Sequence, residues 1–201
     1  METVKLYLCD VKELKDDYLI AIPFLTELDK ENILKYKVEE QRKEKAISTY
    51  FKHKFIGEYQ LNSFGKPITS GLFFNISHSH GLVGIVISDT HDIGIDIEKI
   101  RKMEDKVAKY ISSDEEYKYI KDDKSFFEVW TNKESITKAY GSGIKGKISE
   151  IPALPLNGVK KFHDDSYFSH TMELNGYIIS ISRKSEDDFK VEISFIKTTE
   201  M

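Results

Sequence analysis

Residues 94–98 read Gly94-Ile95-Asp96-Ile97-Glu98, and residues 130–135 read Trp130-Thr131-Asn132-Lys133-Glu134-Ser135. The first run alternates apolar and acidic side chains. On a strand, with its period of two, Asp96 and Glu98 point to one face and Ile95 and Ile97 to the other. Two carboxylates so placed repel each other unless a cation sits between them. A hard divalent ion meets that need, because Mg²⁺ takes one or two carboxylates together with phosphate oxygens and water. The second run opens a helical stretch and adds a third acid, Glu134, beside Lys133. Together the two runs imply a Mg²⁺ site that holds a phosphate ester. Each piece alone has a plainer reading: a solvated strand face, surface charge on a helix, a core tryptophan. The combination and its order carry the chemical one.

Positioning these groups requires a strand over 93–98 and a helix over 124–140. Gly141 and Gly143 stop that helix, and Trp130, Glu134 and Lys138 share one face of it at i, i+4 and i+8. Further strands are expected at 3–9, 72–76, 82–88, 167–174, 176–182 and 189–197. Helices are expected at 29–60, 103–111 and 114–121. Ser113-x-x-Glu116 fits a capping box, which gives Glu116 a purely structural reading beside any chemical one. Two segments, FFNISHSHGLVGIVIS and YIISISRKSEDDFKVEISFI, share an order: β-run, Ile-Ser pair, polar loop, second β-run. They hint at an internal duplication with a boundary near 90–93.

The chain has 201 residues, 40% hydrophobic and 32% charged, with a net charge of −4. That composition suits a globular protein of one large or two small domains. One cysteine, Cys9, excludes an internal disulfide and permits a reducing compartment. No apolar run approaches the ~20 residues that span a membrane, and no signal peptide is evident at the start. A cytoplasmic location is therefore expected, with no membrane partner. Segment 30–54 is locally basic: Lys30, Lys35, Lys37, Arg42, Lys43, Lys45, Lys52 and Lys54 face Glu31, Glu39, Glu40 and Glu44. Most of these read as a solvated helix face, and a few could meet an anionic ligand. Nucleic acid is not expected in an acidic chain without a supporting motif.

In order along the chain stand Phe64-Gly65-Lys66-Pro67, Phe74-Asn75-Ile76-Ser77-His78-Ser79, Gly94–Glu98, Ser113-Asp114-Glu115-Glu116-Tyr117 and Trp130–Lys138. With these motifs the chain resembles the 4′-phosphopantetheinyl transferases, and within them the larger bacterial type that serves peptide and polyketide synthetases. The resemblance covers 64–138. It implies an α+β fold of two similar halves, 1–92 and 93–201, related by pseudo-twofold symmetry with the active site in the cleft between them. It implies transfer of the phosphopantetheine arm of coenzyme A to a serine of an apo acyl or peptidyl carrier protein, with Mg²⁺ as cofactor and adenosine 3′,5′-bisphosphate as by-product. A monomer is expected, since both halves lie in one chain.

Residue by residue, the resemblance makes Asp96, Glu98 and Glu134 the Mg²⁺ ligands. It makes Glu116 the general base, with a metal-bound water as the alternative, and Lys133 and Lys138 the contacts to the pyrophosphate. Ser77 and His78 match the 3′-phosphate contacts, the Phe64–Pro67 turn the loop along the adenine, and Trp130 a substrate contact. For the basic residues on the 3′-phosphate, Lys45 is the best match by length for the family's arginine, with Arg42 one helical turn before it and Lys35 and Lys37 as neighbours. Lys45 stands where the family commonly has an arginine, and lysine cannot make arginine's bidentate contact. The segment after Glu98, KIRKMEDKVAKYI, is basic and partly apolar and suits an acidic carrier protein. Two other readings use fewer of these motifs: a different Mg²⁺-dependent phosphoester hydrolase, and a non-catalytic module that binds carrier proteins.

Overall fold

The computed structural model describes residues 1–141, 143 and 147–198. The chain opens with β1 (Glu2–Asp10), a short α1 (Tyr18–Ala21), α2 (Glu27–Leu34) and α3 (Glu39–Phe51). A small ribbon, β2 (Gln60–Leu61) and β3 (Pro67–Ile68), leads to the hairpin β4 (Phe73–Ser79) and β5 (Leu82–Ser88). Then come β6 (Ile93–Lys99), α4 (Asp105–Ile111), α5 (Asp114–Tyr119) and α6 (Asp123–Tyr140). The last strands are β7 (Gly158–Phe162), β8 (Asp165–Leu174), β9 (Tyr177–Arg183) and β10 (Phe189–Phe195). This is the α+β composition expected from the sequence.

Two four-stranded sheets carry the fold, ordered β10-β1-β5-β4 and β6-β9-β8-β7. In each, one strand (β1 or β6) lies antiparallel to the second arm (β5 or β9) of a later hairpin. The order β1-β5-β4 thus repeats as β6-β9-β8. The repeat is not the one the sequence hinted at. The Ile-Ser segment 177–196 is no hairpin: β9 stays in the second sheet, and β10 crosses back to pair parallel to β1. The counterpart of the hairpin β4–β5 is β8–β9. Because β10 completes the first sheet, a division at 92/93 does not separate two sheets of their own.

Side-chain alternation sets the layers. On β5, Val83, Ile85 and Ile87 face Ile47, Tyr50 and Phe51 of α3, while Val86 faces the second sheet. Between the sheets, Val4, Leu6 and Leu8 meet Ile95, Ile97, Ile179 and Ile181. On the far side, Val129, Ile136 and Ala139 of α6 pack on Ile178 and Tyr167. Burying such side chains is worth roughly 1.5–3 kcal/mol each and is the main driving force for this layering.

The single helix expected over 29–60 is two helices and a π-helical turn, Lys52–Ile56. A capping box, Thr26 with Asp29, starts α2 earlier than its apolar pattern does. The helix stops at Leu34, and Val38 is extended at φ −91°, ψ 129°. That break lets α2 fold back, so that Asp29 reaches His53 at 3.0 Å. Ser77, His78 and Ser79, read from sequence as part of a connection, belong to β4, and the turn is His80-Gly81 alone. The strand β7 was not foreseen.

Candidate active site

β6 is the edge of its sheet, and an edge strand leaves alternate N–H groups unpaired. Here β4 satisfies them with side chains. The N–H groups of Ile95, Ile97 and Lys99 donate to Asn75 Oδ1 (3.1 Å), Ser77 Oγ (3.1 Å) and Ser79 Oγ (3.3 Å). The Asn75-x-Ser77-x-Ser79 alternation therefore joins the two sheets at the strand that bears the acids.

The other face of β6 presents Gly94, Asp96 and Glu98 to α6. Gly94 permits the approach, since a Cβ there would lie 2.1 Å from the carbonyl oxygen of Ser135 and 2.4 Å from the nitrogen of Ala139. Two residues on, Asp96 Oδ1 accepts from Lys138 Nζ at 2.7 Å and from Ser77 Oγ at 3.2 Å. Lys138 also donates to Ser77 Oγ at 3.1 Å. Asp96 is buried, and its Oδ2 has no hydrogen-bond partner. Glu98 Oε2 accepts from Ser79 Oγ at 2.9 Å and from Arg101 at 2.8 Å.

Electrostatics bind this group together. Burial pushes the Asp96 carboxyl above its ordinary value; Lys138 opposes the rise and Glu98 adds to it. Glu134 is raised for the same reasons, first burial and then the charge of Asp96, with Lys138 opposing. Three acids that repel one another, one with an orphaned buried oxygen, form a donor set that a hard cation fits. As placed, they do not close into a shell: among the described residues no group of three or more His, Cys, Asp or Glu could hold a metal ion. Lys138 and Arg101 supply the positive charge at Asp96 and Glu98.

The structure does not bring Glu116 and Lys133 to these acids. They form a pair of their own at 2.7 Å, 3% and 0% exposed. Glu116 Oε2 also accepts from the Ser113 N–H (2.8 Å), and Oε1 from the Ala153 N–H (2.7 Å). Lys133 also donates to the Ile151 carbonyl. The capping box is present, and its glutamate reaches on through Lys133 to hold α5, α6 and 151–153 together. As a base toward a protein substrate, Glu116 is badly placed: it is enclosed and its oxygens are engaged.

The remaining expected contacts divide into separate places. Lys35 and Lys45 line one pocket of about 480 Å³ with Lys52, His53, Thr49 and Tyr59. Burial, and then Lys52, hold the Lys45 ammonium below the usual lysine value. His78 does not line that pocket. It lies beside Glu44, and Ser77 is committed to Asp96 and to the edge of β6. In the Phe64–Pro67 turn, Gly65 takes φ +82° and Asn62 Oδ1 accepts from the N–H groups of Phe64 and Lys66. Phe64 is exposed, but Lys66 turns inward to Asp92 (2.9 Å) and to the Ala139 carbonyl (2.9 Å), at the negative end of α6. Trp130 stacks on Phe126 and, with Phe127, Met103 and Val107, lines a groove of about 400 Å³ that begins at Glu98. Arg101, Lys102 and Lys106 form its basic side.

Sequence reasoning missed Glu44, counting it among the surface acids of α3. Its spacing from Ile47 and Phe51 (i+3, i+7) puts it on the buried stripe, which was the available signal.

Residues 92–185 match the family model of the 4′-phosphopantetheinyl transferase superfamily. That match bears out the resemblance to the family and takes in the motifs from Gly94 to Lys138, while those at 64–79 lie outside it. Similar proteins include the 4′-phosphopantetheinyl transferase gsp of Aneurinibacillus migulanus, 40% identical over 43% of this chain and 39% of the relative. The 4′-phosphopantetheinyl transferase HetI of a Nostoc species is 38% identical over 47% of this chain and 45% of its own. The 4′-phosphopantetheinyl transferase Sfp of Bacillus subtilis is 34% identical over 55% and 50%. The matches span half or less of the length of these relatives. No helix among the described residues is long and apolar enough to cross a membrane.

Proposed function

We propose that this chain transfers the phosphopantetheine group of coenzyme A to a serine of an apo carrier protein, with Mg²⁺ held by Asp96, Glu98 and Glu134. The observation that carries the reading is Asp96, a buried carboxylate at the junction of the two sheets with one oxygen on Lys138 and the other without a partner. Bound there, Mg²⁺ would neutralise the pyrophosphate and polarise it toward attack. Lys138, now on Asp96, would meet that pyrophosphate and stabilise the departing bisphosphate. Ser77 keeps Asp96 oriented. Gly94 sets the spacing between β6 and α6 on which all of this depends.

The groove from Glu98 to Trp130 is the place for the acceptor. Its aromatic floor gives apolar anchorage, and Arg101, Lys102 and Lys106 suit an acidic surface. Lys35 and Lys45 belong to the nucleotide end, with the Phe64–Pro67 turn along the adenine. Lys133 and Glu116 are left out of the chemistry and serve the fold. The repeated strand order supports a pseudo-twofold relation between the halves, and one chain supplies both, as a cytoplasmic monomer would.

The test is incubation with coenzyme A, Mg²⁺ and an apo carrier protein, read by intact mass. Gain of one phosphopantetheine group, dependent on Mg²⁺, is the expected result. Nucleotide release with an unmodified carrier would instead point to a phosphoester hydrolase, and carrier binding with neither product to a non-catalytic module.

A further inference from the structure

The turn between β4 and β5 is two residues long, with His80 at φ 48° and Gly81 at φ 90°, as a tight antiparallel hairpin requires. Glu44 reaches it from α3. Its Oε1 accepts the Gly81 N–H at 2.8 Å, and its Oε2 lies 3.0 Å from His78 Nδ1. Glu44 is only 4% exposed, whereas the His78 side chain is 52% exposed. Burial pushes the Glu44 carboxyl up, but the bonds from His78 and Gly81 outweigh it and leave the group below its ordinary value. A fixed carboxylate thus stands behind an open imidazole.

An imidazole has two ring nitrogens, and what one bonds decides what the other offers. Nδ1 is committed to Glu44, so Nε2 is the edge left to solvent. A ring with a proton on each nitrogen can donate to the carboxylate through Nδ1 and to an anion through Nε2.

We propose that Glu44 is a positioning residue that holds His78 with its Nε2 edge outward, toward the 3′-phosphate of the nucleotide substrate. The inference rests on the transferase reading and adds to it a residue outside the shared motifs. It also accounts for the burial of Glu44 on a helix whose other acids, Glu39 and Glu40, are exposed.

Calorimetric binding of adenosine 3′,5′-bisphosphate and of adenosine 5′-monophosphate tests it in the whole chain, together with KM for coenzyme A and for 3′-dephospho-coenzyme A. Glu44→Gln keeps an acceptor for Gly81 but loses the charge. It should weaken the bisphosphate and raise KM for coenzyme A about tenfold, the scale of one charge-assisted contact. Neither 3′-dephospho ligand should change by more than about twofold. Glu44→Asp should recover part of the loss. In a His78→Asn background, Glu44→Gln should add nothing. His78→Asn leaves Glu44 in place and gives a second measure of the same contact if Glu44→Gln folds poorly. Unchanged discrimination in Glu44→Gln, or tighter bisphosphate binding, overturns the inference while wild-type transfer leaves the function standing. Absence of both transfer and bisphosphate binding in the wild type overturns the function first.

Discussion

Replacing Glu116 with Gln separates a structural role from a chemical one, because the buried pair turns the substitution into a stability experiment. Lys133 is fully enclosed and Glu116 nearly so, 2.7 Å apart. Removing one partner of such a pair costs about 3–5 kcal/mol, since the other charge is left buried. The lower end applies here. Lys133 keeps the Ile151 carbonyl, and burial already holds its ammonium below the usual lysine range, so it can lose its proton. The Gln side chain has one acceptor oxygen for the two N–H groups of Ser113 and Ala153, so one hydrogen bond is lost as well. A loss of about 3 kcal/mol is expected, and it lowers Tm by roughly 6–12 °C in a chain of this size. Urea unfolding gives the first quantity and a thermal scan the second. A double-mutant cycle with Lys133→Met isolates the pair, and the double variant should be more stable than the sum of the single losses predicts. In transfer assays at a temperature where the variant is folded, kcat should stay within about tenfold of wild type. A base would cost about 10²–10⁴. A Gln variant of wild-type stability whose kcat has collapsed would refute the structural assignment outright.

The remaining predictions concern the acids, the strand–helix contact and the acceptor groove. Glu134→Gln should abolish transfer and Mg²⁺-dependent stabilisation, yet raise the stability of the metal-free protein, because it removes one of three mutually repelling carboxylates. Its pH dependence has a definite sign. A carboxyl raised above its ordinary 4.5 binds protons better folded than unfolded, so its contribution falls as pH rises through that window. The advantage of Glu134→Gln over wild type in urea should therefore be larger at pH 7.5 than at pH 5, and an advantage that shrinks with pH counts against the repulsion. Gly94→Ala should lose at least about 1–3 kcal/mol, the cost of overpacking, since a Cβ meets α6 backbone that cannot rotate away; a variant that unfolds at the wild-type urea midpoint would be inconsistent with that contact. Reversing Lys102 and Lys106 to Glu should raise KM for the carrier protein and flatten its salt dependence without altering KM for coenzyme A. Lys106 pairs with exposed Glu104, a bond worth ~1 kcal/mol or less, so stability should hardly move.

What could be read from the sequence divides by the range of the interaction involved. The alternation at 94–98 and the period of 124–140 are local patterns. Each fixed which side chains share a face before any packing was known, and β6 and α6 lie where those patterns put them. Asp96, Glu134 and Lys138 do interact. The partner of each face is not local. Lys133 follows Trp130 by only three residues, yet it points into a pocket closed by Glu116 and by Ile151, which no periodicity connects to it. Lys66 was read with the motif around it and instead spans to the end of α6.

The same distinction accounts for the acids that sequence reasoning placed wrongly. Glu44 and Glu116 both looked like surface charge or cap, because burying a carboxylate is expensive and the plainer reading is usually right. Each escapes that expense through partners contributed by distant segments: Gly81 and His78 for one, Lys133 and Ala153 for the other. Asp96 differs from both. Its Oδ1 is satisfied and its Oδ2 is not, although it is buried as deeply. A buried oxygen without a partner costs about 1–3 kcal/mol or more, which a purely structural acid has no reason to retain. Among these three buried acids, Glu44 and Glu116 have both oxygens engaged, and Asp96, with one oxygen left without a partner, is the one that suits a cation.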